Sequence, residues 1–242
     1  MGKIYFISDV HLRPHHERRE SYFISFLDAI RGAEALYMLG DIFDYWVGVG
    51  QLRKALDDPV FNSFRKLSQS GTKIRFIGGN RDFLMGNELT RACGVEVMPE
   101  SLDIKLDGRR IHLTHGDLFC SNDADYMMFR SIVRNPVLKY SFKHLTPLTF
   151  RLWVARLMRR SSRAIVKNKA KKIRDIDMNT VARCFAKGYD IIICGHVHRP
   201  GHVEMNVRGK ERHLYTLDHW NKEPTCLVYE DGVFTFQPDI EA

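Results

Sequence analysis

The chain has 242 residues, of which 44% are hydrophobic and 27% charged, so it can bury a large core and is not a disordered or low-complexity sequence. Five cysteines, none in a CxxC pair, argue against a disulfide framework and for a reducing cytosolic setting. No apolar run reaches the roughly 18 residues of a membrane span, and Asp9 and His11 stand where a signal peptide would keep its apolar core.

In chain order, "KIYFI" (3–7), "ALYML" (35–39) and "KIRFI" (73–77) read as buried strands, with helical spacing over 18–31 and 51–70 between them. This alternation predicts an α/β fold. Strands are then expected at 95–98, 102–106 and 109–115 as a meander turning at Asp107-Gly108. Residues 122–187 read as mostly helical. A buried strand follows at 190–196, and then a β-rich tail with a hairpin turn at Asp231-Gly232.

The net charge of +8 is unevenly spread. Residues 126–174 hold 14 Lys or Arg and no Asp or Glu, so the rest of the chain is net acidic. Such asymmetry implies a basic surface and an anionic partner: nucleic acid, an anionic membrane or a phosphorylated small molecule.

The polar residues share one placement. Asp9 and His11 follow the first strand, Asp41 the second and Asn80 the third; His115 ends the 110–114 strand, and His196 and His198 follow the 191–194 strand. Ligands in open α/β sheets bind beyond the carboxyl ends of strands. Five strand ends therefore deliver two Asp, one Asn and four His to one edge. Mixed nitrogen and oxygen donors suit Mn²⁺, Fe²⁺ or Zn²⁺, and seven are too many for one tetrahedral ion. They suffice for two ions sharing a bridging carboxylate, an arrangement that can clamp a phosphoryl group.

The series "DVH", "GD", "GN", "HG" and "GHVH" resembles the calcineurin-like metallophosphoesterase superfamily over most of the chain. The resemblance implies a four-layer α/β/β/α sandwich with a dinuclear site. Asp9, His11, Asp41 and His198 would hold one metal. Asp41, Asn80, His115 and His196 would hold the other, with Asp41 bridging. Many relatives carry His after the Asn, a proton donor to the leaving group. Here Arg81 stands in its place, and a guanidinium with a pKa above about 12 cannot give up a proton. A pyrophosphate expelling a phosphate needs far less such help than a diester expelling an alkoxide, so the expected scissile bond is P–O–P, with Arg81 forking onto phosphate oxygens.

A narrower resemblance rests on "GNRDFL", "HGDLFCSNDADYMMFR", the basic helical insert and "GHVHRP". Together they are similar to the UDP-2,3-diacylglucosamine diphosphatase family of lipid A synthesis. That likeness implies hydrolysis of the UDP-linked diacyl sugar to 2,3-diacylglucosamine 1-phosphate and UMP, by metal-activated hydroxide attack on the α-phosphorus. It implies two Mn²⁺, with Fe²⁺ or Zn²⁺ as alternatives. Asp41, Asn80, Arg81 and His115 would be catalytic; Asn80, Arg81, Asp123, Tyr126, Ser162, Lys169 and His196 would bind substrate. The core is expected at 1–121 and 188–242, with 122–187 as a basic cap whose Leu, Phe, Trp153 and Met158 take acyl chains.

The same cap could rest on an anionic membrane surface, making the protein cytoplasmic and peripheral on the inner membrane. Nucleic acid is not expected, because Arg81 replaces the proton donor and the insert lacks interleaved stacking aromatics, and no obligate protein partner is evident. Two alternatives stay open: a nucleotide or nucleic-acid phosphodiesterase, and a non-enzymatic anionic-lipid-binding protein. Val166 and the 217–224 tail depart from the narrower family's pattern.

Overall fold

The computed structural model describes residues 2–13, 17–55, 57–168, 175–220 and 225–238. Runs of aliphatic and aromatic residues form strands buried on both faces, such as β1 (Ile4–Ile7), β2 (Ala35–Met38) and β7 (Ile191–Cys194). With β3 (Lys73–Ile77), β4 (Val95–Met98), β10 (Thr225–Glu230) and β11 (Val233–Pro238), the first two build a six-stranded sheet in the order β11-β10-β1-β2-β3-β4. The β1 to β4 neighbours pair in parallel, and β10 and β11 close one edge antiparallel. β5 (Ser101–Leu106), β6 (Arg109–Thr114), β7, β8 (Gly201–Val207) and β9 (Lys210–Thr216) form a second sheet in the order β5-β6-β7-β9-β8.

Alternation along the strands makes three cores. Ile4, Phe6, Tyr37, Ile111, Leu113, Ile191 and Ile193 fill the space between the sheets. Tyr5, Ile7, Leu36 and Met38 face the other way. They pack beneath α1 (Glu17–Ala29), α3 (Pro59–Gln69) and α4 (Glu88–Cys93) through Phe23, Phe26, Phe64 and Leu89. Phe23 meets Phe64 edge to face at 5.7 Å, and truncating such a ring to Ala costs about 3–5 kcal/mol. On the far side, Ile192, Cys194 and Leu214 lie under Val181, Cys184 and Phe185 of α8 (Met178–Phe185). The order helices, sheet, sheet, helix is the four-layer sandwich expected from the motifs.

Two expectations change. Strand 95–98 does not continue into a meander: β4 pairs in parallel with β3, and the chain then crosses to the other sheet, where β5 and β6 alone form the hairpin at Asp107-Gly108. The expected helix 51–70 is two, α2 (Val49–Ala55) and α3, because Asp58 caps Val60 N and Pro59 occupies the first turn of α3.

The helical stretch also divides. α5 (Ala124–Val133), α6 (Pro136–Leu145) and α7 (Leu148–Asn168) stand apart from the sheets, and neither α5 nor α6 has a fully buried residue. The last helix of the 122–187 stretch, α8, is instead the outer layer of the core. All five cysteines are buried thiols outside any disulfide. Among the described residues no helix is long and apolar enough to cross a membrane.

Candidate active site

The loops after β1 and β2 run side by side: Asp9 N donates to Gly40 O, and His11 N to Asp41 O. The loop after β3 presses against them so closely that a Cβ on Gly40 would lie 2.5 Å from Gly79 Cα. Only glycine fits there. Beyond the other sheet, Gly195 N donates to His115 O and His196 N to Asp9 Oδ2, which joins the two groups of strand ends.

Five of the seven residues singled out as metal ligands have left-handed backbones: Asp9 (φ 54°), His11 (53°), Asp41 (55°), His196 (70°) and His198 (56°). This conformation is unfavourable for residues other than glycine and concentrates where function fixes the backbone. The other three among the described residues are Asp107, Arg208 and Asp231, each just before the glycine of a hairpin turn.

The donor atoms of Asp9, His11 and His198 lie within 4.8 Å of one another, as do those of Asp9, Asp41 and His115. His11 Nε2 is 3.3 Å from His198 Nε2. His196 Nδ1 is 3.2 Å from His115 Nε2 and 3.4 Å from Asn80 Nδ2. His115 Nδ1 donates to Leu39 O at 2.8 Å, which turns Nε2 toward the cluster. The structure therefore brings together all seven residues named from sequence.

Protonation follows from this crowding. Burial pushes the Asp41 carboxyl up to about 7, against the pull of His115 and with Asp82 and Asp9 adding to the rise. Burial also raises Asp9, but the nearby His198, with His115 and His11, outweighs it and holds that carboxyl well below its usual range. Burial takes His11 well below its ordinary value, and burial and His115 take His196 to about 4. Neutral imidazoles offer the lone pairs a metal requires.

A divalent cation fits this donor set. Asp9 Oδ1 is buried without a hydrogen-bond partner while lying 3.1 Å from His198 Nε2 and 3.8 Å from His11 Nε2. Imidazole nitrogens and carboxylate oxygens converging on one point, with more acceptors than protons, match a borderline divalent ion.

Arg81 does not pair with its neighbour Asp82. Its Nε lies 3.3 Å from Asp41 Oδ2, its Nη1 3.1 Å from Asp44 Oδ1, and its backbone N donates to Asp41 Oδ1 at 2.9 Å. Tyr126 places its ring 5.8 Å from that of His196 and donates its hydroxyl to Asp117. Asp123 caps α5 by accepting from Tyr126 N at 3.0 Å. The side chain of Ser162, and Lys169 altogether, lie outside the described residues, as do the side chain of Val166 and residues 221–224 of the tail.

Sequence reading missed several supports. Asp82, fully buried, accepts from the backbone N–H of Asp41, Gly79 and Phe43. Asp44, also buried, faces Arg13, Arg81 and Arg159. Their signal lay in "LGDIFD" and "GNRDFL", where an extra carboxylate sits among apolar residues and is stable there only if bonded. Asp117 accepts from Arg130 Nε at 2.7 Å, and Arg134 Nη2 donates to Gly79 O at 2.7 Å. Arg130 on α5 and Arg134 at its C-terminal cap, one turn apart, clamp the cap onto the Asn80 turn. A pocket lined by Asn80, Phe83, Tyr126, Phe129, Val133 and Arg134 opens at that junction. His219, from the tail, stacks on His198 at 4.9 Å.

Two facing sheets, helices outside them and a ligand cluster at their strand ends define a metallophosphoesterase. The chain belongs to the calcineurin-like phosphoesterase family, whose model matches residues 2–200, and members of that family use a dinuclear metal site. Its relatives narrow the class. The chain is 36% identical over 226 residues to a UDP-2,3-diacylglucosamine hydrolase of Pseudomonas aeruginosa, covering 93% of each chain. It is 34% identical to the protein of that name in Pseudomonas putida, over 97% of this chain and 98% of the other. It is 41% identical to that of Edwardsiella ictaluri, over 81% of this chain and 75% of the relative.

Proposed function

We propose that the chain hydrolyses the pyrophosphate bond of UDP-2,3-diacylglucosamine, releasing UMP and 2,3-diacylglucosamine 1-phosphate for lipid A synthesis. One observation carries the reading: a phosphoesterase ligand cluster lies under a cap whose apolar side chains face outward. Among the described residues, ten large hydrophobics of α5 to α7 are exposed, Val137 (71%), Leu145 (75%) and Trp153 (57%) among them. A water-soluble substrate gives no reason to keep such a patch on a cap. Two acyl chains do.

In this reading Asp9, His11, Asp41 and His198 hold one ion and Asp41, Asn80, His115 and His196 the other, with Mn²⁺ as the resident metal. When bound, the ions would supply a water of lowered pKa and positive charge for the phosphoryl oxygens. Arg81, oriented by Asp41 and Asp44, presents a fixed cation to the pyrophosphate and stabilises charge as it spreads over the attacked phosphoryl group. The leaving phosphate needs no proton donor at this position. Tyr126, tied to Asp117, walls the site beside His196. The exposed apolar face, set among the cations of α5 to α7, would hold the protein on an anionic bilayer at the cytoplasmic side of the inner membrane.

The test is turnover of UDP-2,3-diacylglucosamine with Mn²⁺ in detergent, beside an aryl phosphodiester and single-stranded nucleic acid. UMP release from the first, abolished by Asp41→Ala, is the expected result. Cleavage confined to the diester or the nucleic acid would overturn the substrate and leave the metal site standing.

A further inference from the structure

A second cluster of metal-type donors lies outside the site described above, on the β8–β9 hairpin. β8 is the edge strand of its sheet. The antiparallel register sets Glu204 directly opposite His213, and His202, two residues before Glu204, shares its face. On the opposite face of the same strands, Met205, Val207 and Leu214 pack toward α8. The three donor side chains therefore stand together on the other side, His202 and Glu204 exposed and His213 half-buried.

Their geometry is that of a chelate. His202 Nε2 and His213 Nδ1 are 3.1 Å apart, and one carboxylate oxygen of Glu204 completes a group whose atoms all lie within 4.8 Å. Two imidazole nitrogens bound to a tetrahedral zinc at about 2.1 Å stand about 3.4 Å apart, a few tenths of an ångström from what the hairpin already holds. Both rings are oriented by neighbours. His202 stacks on Tyr215 at 4.3 Å and 5°, and Tyr215 is itself packed on Phe234. His213 turns its other nitrogen, Nε2, toward Glu211 Oε1 at 3.7 Å. A carboxylate behind a ligating histidine keeps the proton on the far nitrogen and the lone pair on the near one. A hydrogen bond between two histidines requires neither Glu204 in front nor Glu211 behind.

We propose that His202, Glu204 and His213 form a further divalent-cation site of the zinc class, sharing no residue with the dinuclear candidate. Two histidines and one carboxylate leave a fourth position to water. The ion would clip the edge strand to its neighbour, where an unpaired edge otherwise invites association. The clip is a binding site, and hydrolysis does not pass through it.

The experiment counts zinc per chain by elemental analysis after equilibrium dialysis at micromolar free Zn²⁺, for the wild-type chain, for His213→Ala and for Glu204→Gln. The last keeps an exposed side chain of the same size and carries no folding risk. Wild type should hold one zinc more than either variant, and all three should hydrolyse substrate at the same rate with Mn²⁺. Equal zinc content in wild type and Glu204→Gln would overturn the proposal. So would an additional equivalent that appears in wild type only at millimolar zinc, the behaviour of scattered surface histidines.

Discussion

Asp82 provides the sharpest test of how the site is held. Its Oδ1 accepts from Asp41 N at 3.1 Å and Gly79 N at 2.8 Å, and its Oδ2 from Phe43 N at 3.2 Å. Asp82→Asn preserves the shape and removes one acceptor. With the amide oxygen placed at Oδ1, only the Phe43 N–H is left facing a donor; in the flipped rotamer, both Asp41 and Gly79 are. A buried donor without a partner costs about 1–3 kcal/mol, so the first rotamer is adopted and stability should fall by about 1–3 kcal/mol. At a urea slope of about 2–3 kcal/mol/M, a loss of about 2 kcal/mol moves the unfolding midpoint down by about 0.7–1 M. The same bonds fix the left-handed turn at Asp41, so kcat should drop about 10–100-fold, with KM changed much less because the cap is untouched. Chemical denaturation and steady-state kinetics on one preparation measure both. A variant within about 0.5 kcal/mol of wild type and with full kcat would show that Asp82 does not hold the two loops.

Other expectations follow from the same geometry. Asp41→Asn should abolish turnover while leaving the far-UV circular dichroism intact; measurable activity would remove Asp41 from between the two ligand groups. Arg81→Ala should lower pyrophosphate cleavage about 10–100-fold more than aryl phosphate cleavage, since a charge-assisted bond to phosphate is worth about 1.5–3 kcal/mol, and equal losses would make Arg81 structural. Leu145 and Trp153 are 75% and 57% exposed, so Leu145→Ser with Trp153→Ser should weaken vesicle partitioning by at least about 100-fold, since the loss is about 1.5–3 kcal/mol for each of two side chains, without lowering the melting temperature. Unchanged partitioning would dismiss this face as the lipid contact. Burial pushes Glu100 up, but Arg130 and Arg134 outweigh it and hold its carboxyl below the usual value. The stability that Glu100 contributes is therefore present above pH about 4.5 and lost as pH falls through its lower folded value. The destabilisation on acidification should shrink in Glu100→Gln, followed by thermal melts at successive pH values.

Much of this was legible in the sequence because it is local. A run such as "ALYML" followed by Gly40-Asp41 states both a buried strand and what its end presents. Five such endings allow few arrangements once parallel pairing is assumed. What was not legible depends on distant partners. The short step from Met98 to Ser101 reads as a hairpin link, but Val95 pairs with Ile74 and Ser101 with Thr114, so the two strands belong to different sheets. α8 continues the helical pattern of the insert and differs from it only in having Val181, Cys184 and Phe185 under a sheet. The basic stretch looked like one surface. Yet Arg130, Arg134, Lys143 and Arg159 are matched by Glu100, Asp117, Glu88 and Asp44 of the core, so part of that charge fastens the cap and the remainder faces outward.

The two sheets meet through side-chain packing and a few hydrogen bonds at their strand ends, and the ligand cluster changes how they depend on each other. Asp9, Asp41 and Asn80 follow strands of one sheet, and His115, His196 and His198 follow strands of the other. An ion coordinated from both groups is a tie between two layers that could otherwise slide. Each ion bound to the native state alone adds RT ln(1 + [M]/Kd) to global stability, about 2.7 kcal/mol at 100 Kd. Metal supply would then bear on the persistence of the sandwich as well as on its activity, because a chain without its ions opens to proteolysis more often.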